Sequence, residues 1–125
     1  MWRVAYDPDR GLLTIGLHEL VNPKDLRELG AAQAEALSCT AGEPFRAFFD
    51  LRQLFPLEEE AVQLMVTLKR AVAGHRGFRG LVVLADSATV AMQQHHTRVR
   101  QGTRHDDELV TTEAAAAQRF LARPL

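Results

Sequence analysis

Asp86-Ser87-Ala88-Thr89 is the stretch whose residue types come closest to a binding chemistry. A carboxylate and two hydroxyls stand where an apolar run gives way to a helical pattern. Ser87, Thr89 and unbonded backbone N–H groups could hold a small anion at such a helix start, on the strand end where α/β proteins commonly bind ligands. The same residues serve equally as a helix N-cap. Histidines form a second group: His95, His96 and His105. Adjacent histidines on a regular helix cannot both aim at one metal, and neither has a histidine four residues on. No metal site is expected. His95 falls in line with Ala88, Met92 and Val99, which turns it toward a sheet and a hydrogen-bonding neighbour.

Catalysis has fewer means still. The two serines, Ser38 and Ser87, and the single cysteine, Cys39, lie in no nucleophile elbow. Gly74, Gly77 and Gly80 run from a helix into a strand, the wrong polarity for a dinucleotide loop. A protein without enzymatic activity or cofactor is expected. The formal net charge of -1 gives no electrostatic footprint for nucleic acid. Basic residues do gather in two places, Lys69, Arg70, His75, Arg76 and Arg79, then Arg98, Arg100 and Arg104. They either complement helix C-terminal dipoles or join into one patch at a sheet edge. A lone cysteine suits a reducing compartment, and Asp7, Asp9 and Arg10 interrupt any secretory core. The expected location is the cytoplasm, with no membrane-spanning segment.

The elements that must position these residues alternate along one domain, residues 1–125. Val4 and Tyr6, then Leu13, Ile15 and Leu17, alternate around Asp7-Pro8-Asp9-Arg10-Gly11, so residues 2–17 read as a hairpin. Asn22-Pro23 starts a helix, Asn as cap and Pro where its missing N–H costs nothing, with Leu26, Leu29 and Leu37 as its apolar face through about Ser38. Cys39 to Pro44 is loop. Phe45 to Leu51 is apolar on successive positions, hence a strand buried on both faces. Glu58, Glu59 and Glu60 open a second helix whose dipole they complement, with Ala61, Leu64, Met65, Leu68 and Val72 facing inward and Gly74 as its stop. Gly80–Ala85 is a short buried strand, and a helix from Ala88 to about Arg100 follows. Leu109-Val110 is a last strand, Thr111 or Thr112 caps a helix to Leu121, and Ala122 to Leu125 fray. The result is α/β: a mostly parallel sheet of four or five strands, a hairpin and four helices. Phe48, Leu64, Leu68 and Val83 should be among its least exposed side chains.

In this order of elements, and in Phe48-Phe49-Asp50-Leu51-Arg52 ending the central strand, the chain resembles the STAS and SpoIIAA-like superfamily of sulphate-transporter and anti-sigma-factor-antagonist domains. Within it the chain is more similar to the lipid-pocket, STAS/SEC14-like bacterial proteins than to the phosphorylated antagonists. Those antagonists carry Asp-Ser-Ser-Gly or a close variant where this chain reads Leu57-Glu58-Glu59-Glu60-Ala61, so a phospho-switch there is not expected. The resemblance implies a regulatory module that docks a protein partner or a second copy of itself, with Arg52, Glu58 and Glu59 at the switch-equivalent position. Glu59 either holds a permanent charge where the family places phosphoserine or is an ordinary first-turn residue. The lipid-pocket relatives imply an alternative, a carrier or sensor of a small apolar ligand held between helices and sheet. Trp2, on the first strand, is expected at an interface or folded back over the chain's own helices.

Overall fold

In the computed structural model, the described residues are 1–101 and 107–125, with backbone alone for 99–101. β1 (Trp2–Asp7) and β2 (Leu12–Leu17) form the expected antiparallel hairpin. β3 (Phe45–Leu51), β4 (Phe78–Ala85) and β5 (Glu108–Thr111) add in parallel, giving the order β1-β2-β3-β4-β5. Sequential parallel strands joined by right-handed connections put every crossover helix on one face. Accordingly α1 (Pro23–Ser38), α2 (Glu59–Ala73) and α3 (Ala88–Gln101) all cover the odd-numbered side of β2 to β4, around Leu13, Ile15, Phe49, Leu81 and Val83. α4 (Ala114–Leu121) alone covers the other face, through Ala117 and Phe120 on Val82 and Leu84.

Local chemistry sets the helix ends. Asn22 accepts from the Asp25 N–H at 2.8 Å while Asp25 accepts from the Asn22 N–H at 3.1 Å, a reciprocal capping box with Pro23 in the first turn. α1 and α2 approach closely at Gly30, where an added Cβ would stand 3.3 Å from Leu68. Buried Gln33 ties the two helices by donating to the Leu68 carbonyl at 3.0 Å. Gly77 sits at a φ of 95°, and a Cβ there would collide with the Glu43 carbonyl.

Four expectations change. Phe48 is only half-buried because α4 lies over β4 and β5 and leaves its side of β3 partly open; Phe49 is the fully buried member of the pair. Leu64 is half-buried too, since α2 lies between α1 and α3 and buries a stripe shifted toward Val62, Val66 and Lys69. Leu68 and Val83 are buried as expected. The last residues are pinned rather than frayed: Arg46 donates to the Arg123 carbonyl at 2.5 Å and to Pro124 at 2.9 Å. Finally, α4 begins with Glu113 as its cap residue, while the Thr111 hydroxyl accepts from the Glu113 N–H at 3.0 Å.

Candidate functional site

Parallel strands end on the same edge, so β2, β3 and β4 deliver their C-terminal residues together. The register pairs Gly16 with Asp50 and Asp50 with Leu84. Two residues further on, His18, Arg52 and Asp86 fall in one row. These three, with Asp50 and Gln53, line a recess of about 280 Å³. Arg52 grips Asp50 through two parallel bonds, Nε to Oδ1 and Nη2 to Oδ2, each 2.9 Å. Bidentate charge-assisted pairs of this kind fix orientation as well as energy. The Arg52 hydrogen bond holds the Asp50 carboxyl below its ordinary pKa, overcoming the opposite effect of burial. The same bond raises the Arg52 guanidinium.

The loops around the recess are cross-linked. His18 Nδ1 lies 3.1 Å from the Arg52 carbonyl, which can only accept, so Nδ1 carries the proton of this bond and Nε2 is left without one in the neutral ring. Asp86 accepts from the Gln53 N–H at 3.0 Å, and the Glu19 N–H donates to the Gln53 carbonyl at 2.7 Å. Glu19 and Gln53 hold φ values of 63° and 65°, left-handed conformations that cost a non-glycine residue about 1 kcal/mol or more each. Gln93 on α3 clamps the following loop, accepting from the Leu57 N–H at 3.0 Å and donating to its carbonyl at 2.9 Å.

The residues singled out in the sequence divide between places. Arg52 stands in the recess. Glu58 is the first residue before α2 and makes no side-chain cap bond; Glu59 accepts from Gln63 at 2.9 Å, and Glu60 from Arg27 at 2.7 Å. The Ser87 hydroxyl accepts from the Val90 N–H at 3.3 Å, capping α3. Thr89 and His95 are exposed and, with Met92, Gln93 and His96, line an open cleft of about 630 Å³ along α3. His95 therefore does not turn toward the sheet. The inward line of α3 is Val90, Gln94 and Thr97, and the last of these meets a buried lysine.

That lysine is Lys69, which leaves the proposed basic patch. It is 0% exposed, donating to Glu108 at 3.1 Å and to Thr97 at 3.2 Å, and burial lowers its pKa against the pull of Glu108. Arg98 donates to the Glu108 carbonyl at 3.4 Å. Arg70, Arg76 and Arg79 are exposed; Arg104, His105 and the side chain of Arg100 lie outside the described residues. Among the described residues no group of three or more His, Cys, Asp or Glu could hold a metal, and no helix is long and apolar enough to cross a membrane.

Asp50 and Asp86 were visible in the sequence, one in the tripeptide that ends β3 and the other as the carboxylate before α3, whereas His18, just past the end of β2, and Gln93 were not singled out. Next to the recess residues His18 and Gln53 along the chain stand two large exposed apolar side chains, Leu20 at 72% and Phe55 at 56%, while Met92, 71% exposed, belongs to the cleft along α3. Leu20 and Phe55 are held together by the bridge between Glu19 and Leu54.

A hairpin-led parallel sheet with three helices on one face and one on the other is the SpoIIAA-like fold. In particular, the chain is similar to an uncharacterized protein from the DUF3478 family, of Shewanella loihica PV-4, whose crystal structure has that fold: TM-score 0.66, 16% identity, covering 98% of this chain and 93% of that one. No family model matches the chain, and no curated protein matches it.

Proposed function

We propose that the chain is a non-enzymatic docking module, without cofactor, that binds a protein partner through the C-terminal edge of its sheet. One observation carries this: Leu20 and Phe55 stand exposed beside a recess whose guanidinium is already oriented. Apolar side chains beside a preorganised arginine are the composition of a binding hot spot. The recess is lined by no serine, threonine or cysteine, and its carboxylates already accept bonds from Arg52 and Gln53. Glu58 and Glu59 lie on the next helix turn of the same edge. With no hydroxyl from Leu57 to Ala61, the docking surface is constitutive rather than phosphorylated. The expected compartment is the cytoplasm.

Photo-crosslinking in cells tests the site directly. A crosslinking residue at Leu20 or Phe55 should capture one dominant protein, and the same residue at Arg79 on the opposite edge should not. Equal yields from both edges would contradict the proposal. The cleft along α3 favours a second reading, a carrier or sensor of a small apolar ligand, with Thr89 and His95 at its polar margin and Met92 against the ligand. Native mass spectrometry of protein purified from cells separates the two readings: a retained lipid, lost in Met92→Asp, supports the second and a bare chain the first.

A further inference from the structure

Among the described residues nothing pairs with the outer edge of β1. Free edges of this length are templates for another strand, and proteins usually blunt them. This one is not blunted by proline or by charge of one sign: it reads Trp2-Arg3-Val4-Ala5-Tyr6-Asp7. Its hydrogen-bonding phase follows from one pair. Met1 and His18 exchange both backbone bonds, at 3.0 and 3.3 Å. Bonded and non-bonded pairs alternate along an antiparallel ladder. Arg3, Ala5 and Asp7 therefore bond inward to β2, and the N–H and C=O groups of Trp2, Val4 and Tyr6 point outward.

We infer that this edge pairs with the same edge of a second copy, antiparallel about a two-fold axis at Ala5. Only even-numbered residues present outward groups, which restricts the register. With Ala5 on the axis, Val4 of each protomer exchanges both bonds with Tyr6 of the other, four in all. Side chains directly opposite then share a face. Arg3 of each protomer meets Asp7 of the other on the face where Arg3 and Ala5 are exposed, so the edge is electrostatically complementary to itself. Shifting the axis to Val4 keeps the backbone bonds in phase but sets Arg3 against Ala5 and Asp7 against Met1, so the arginine loses its partner. Asp7 can serve both roles, because the Asp9 and Arg10 N–H groups occupy Oδ1 and leave Oδ2 for the arginine. On the other face, Tyr6 of one copy reaches a cleft of about 480 Å³ between β1 and α1, lined by Val4, Ala32, Glu35 and Cys39 of the other. A symmetric contact of this kind closes at two copies and covers both β1 edges.

Charge reversal tests it. By sedimentation velocity at micromolar to millimolar chain, the protein should be dimeric. Arg3→Asp and Asp7→Arg should each be monomeric with an unchanged circular dichroism spectrum. Mixing the two variants should restore a dimer, since every contact then joins opposite charges. A wild-type monomer throughout, single variants that stay dimeric, or a mixture of folded variants that stays monomeric would each overturn the inference. Should Asp7→Arg lose its turn and unfold, Ala5→Cys in a Cys39→Ser background reads the same register. Two Ala5 positions on the axis form a non-bonded pair within disulfide reach. They should oxidise to a covalent dimer, and failure to cross-link would overturn the register.

Discussion

Two ion pairs divide the molecule. Lys69 and Glu108 join α2 to β5 with both side chains 0% exposed, whereas Asp50 and Arg52 cap the end of β3 with the carboxylate 6% and the guanidinium 50% exposed. Their N–O distances are nearly the same, 3.1 and 2.9 Å. Environment separates them. Removing two charges from water costs several kcal/mol each, so the buried pair is held by geometry and by the Thr97 hydroxyl. In the second pair the carboxylate is buried too, but the arginine keeps half of its side chain in water. One pair fixes how helices sit on the sheet; the other presents a charge in a set orientation.

The largest effect expected is at the buried pair. Lys69→Ala or Glu108→Ala leaves an uncompensated buried charge and should cost about 3–5 kcal/mol in urea unfolding. The volume-matched double change Lys69→Met with Glu108→Leu should be close to neutral, which would show that the penalty belongs to the orphaned charge. The two faces of β3 give a second contrast. Phe49→Ala should cost about 3–5 kcal/mol and Phe48→Ala about half of that, because Phe48 is partly in water already. Equal costs would mean that the α4 face is as tightly closed as the other.

pH acts on the two pairs with the same sign but in different windows, one acid and one alkaline. Asp50 has a folded pKa below 3.8, so in acid the unfolded chain binds more protons. Its stabilising contribution is complete above the unfolded value and is lost as pH falls through the folded one. Lys69 has a folded pKa below 10.5, so between the two values the unfolded chain keeps a proton that the folded chain has released. Stability should therefore rise with pH through that window. Melting curves of Asp50→Asn should flatten the acid limb, and those of Lys69→Met the alkaline rise. Smaller again is Arg52→Ala, about 1–2 kcal/mol in stability, because half of its side chain is in water and the residue-52 N–H still donates to the buried Asp50 carboxylate. Least of all is Glu59→Ser, which should leave the melting temperature within about a degree or two, helix-end charges being worth a few tenths of a kcal/mol. A changed partner affinity in that variant would show that Glu59 acts as a fixed stand-in for phosphoserine.

Local pattern made the elements legible. The Asn22-Pro23 start, the alternation of Leu13, Ile15 and Leu17, and the doubly apolar Phe45–Leu51 are each written within a few residues, and all three stand in the structure as expected. The recess is not written locally. His18 and Arg52 are 34 residues apart, and only strand register puts them in one row with Asp86. Asp50-Leu51-Arg52 was visible as a tripeptide, but its bidentate grip depends on how the chain turns after β3. Lys69 was misassigned for the same reason: beside Arg70 at a helix end it looks like a surface cation, and its partner lies 39 residues away. Ala88, Met92 and Val99 point to an inward His95, but the buried side of α3 is Val90, Gln94 and Thr97, where Thr97 accepts from the lysine.

The division of labour is tested most directly by measuring partner affinity and thermal stability together in two variants, using the protein captured from Phe55. Arg52→Ala should weaken binding tenfold or more while its melting temperature shifts by only a few degrees. Lys69→Met with Glu108→Leu should bind as the wild type does. Arg52→Ala binding at wild-type strength, or the double variant losing affinity as much as Arg52→Ala, would contradict it.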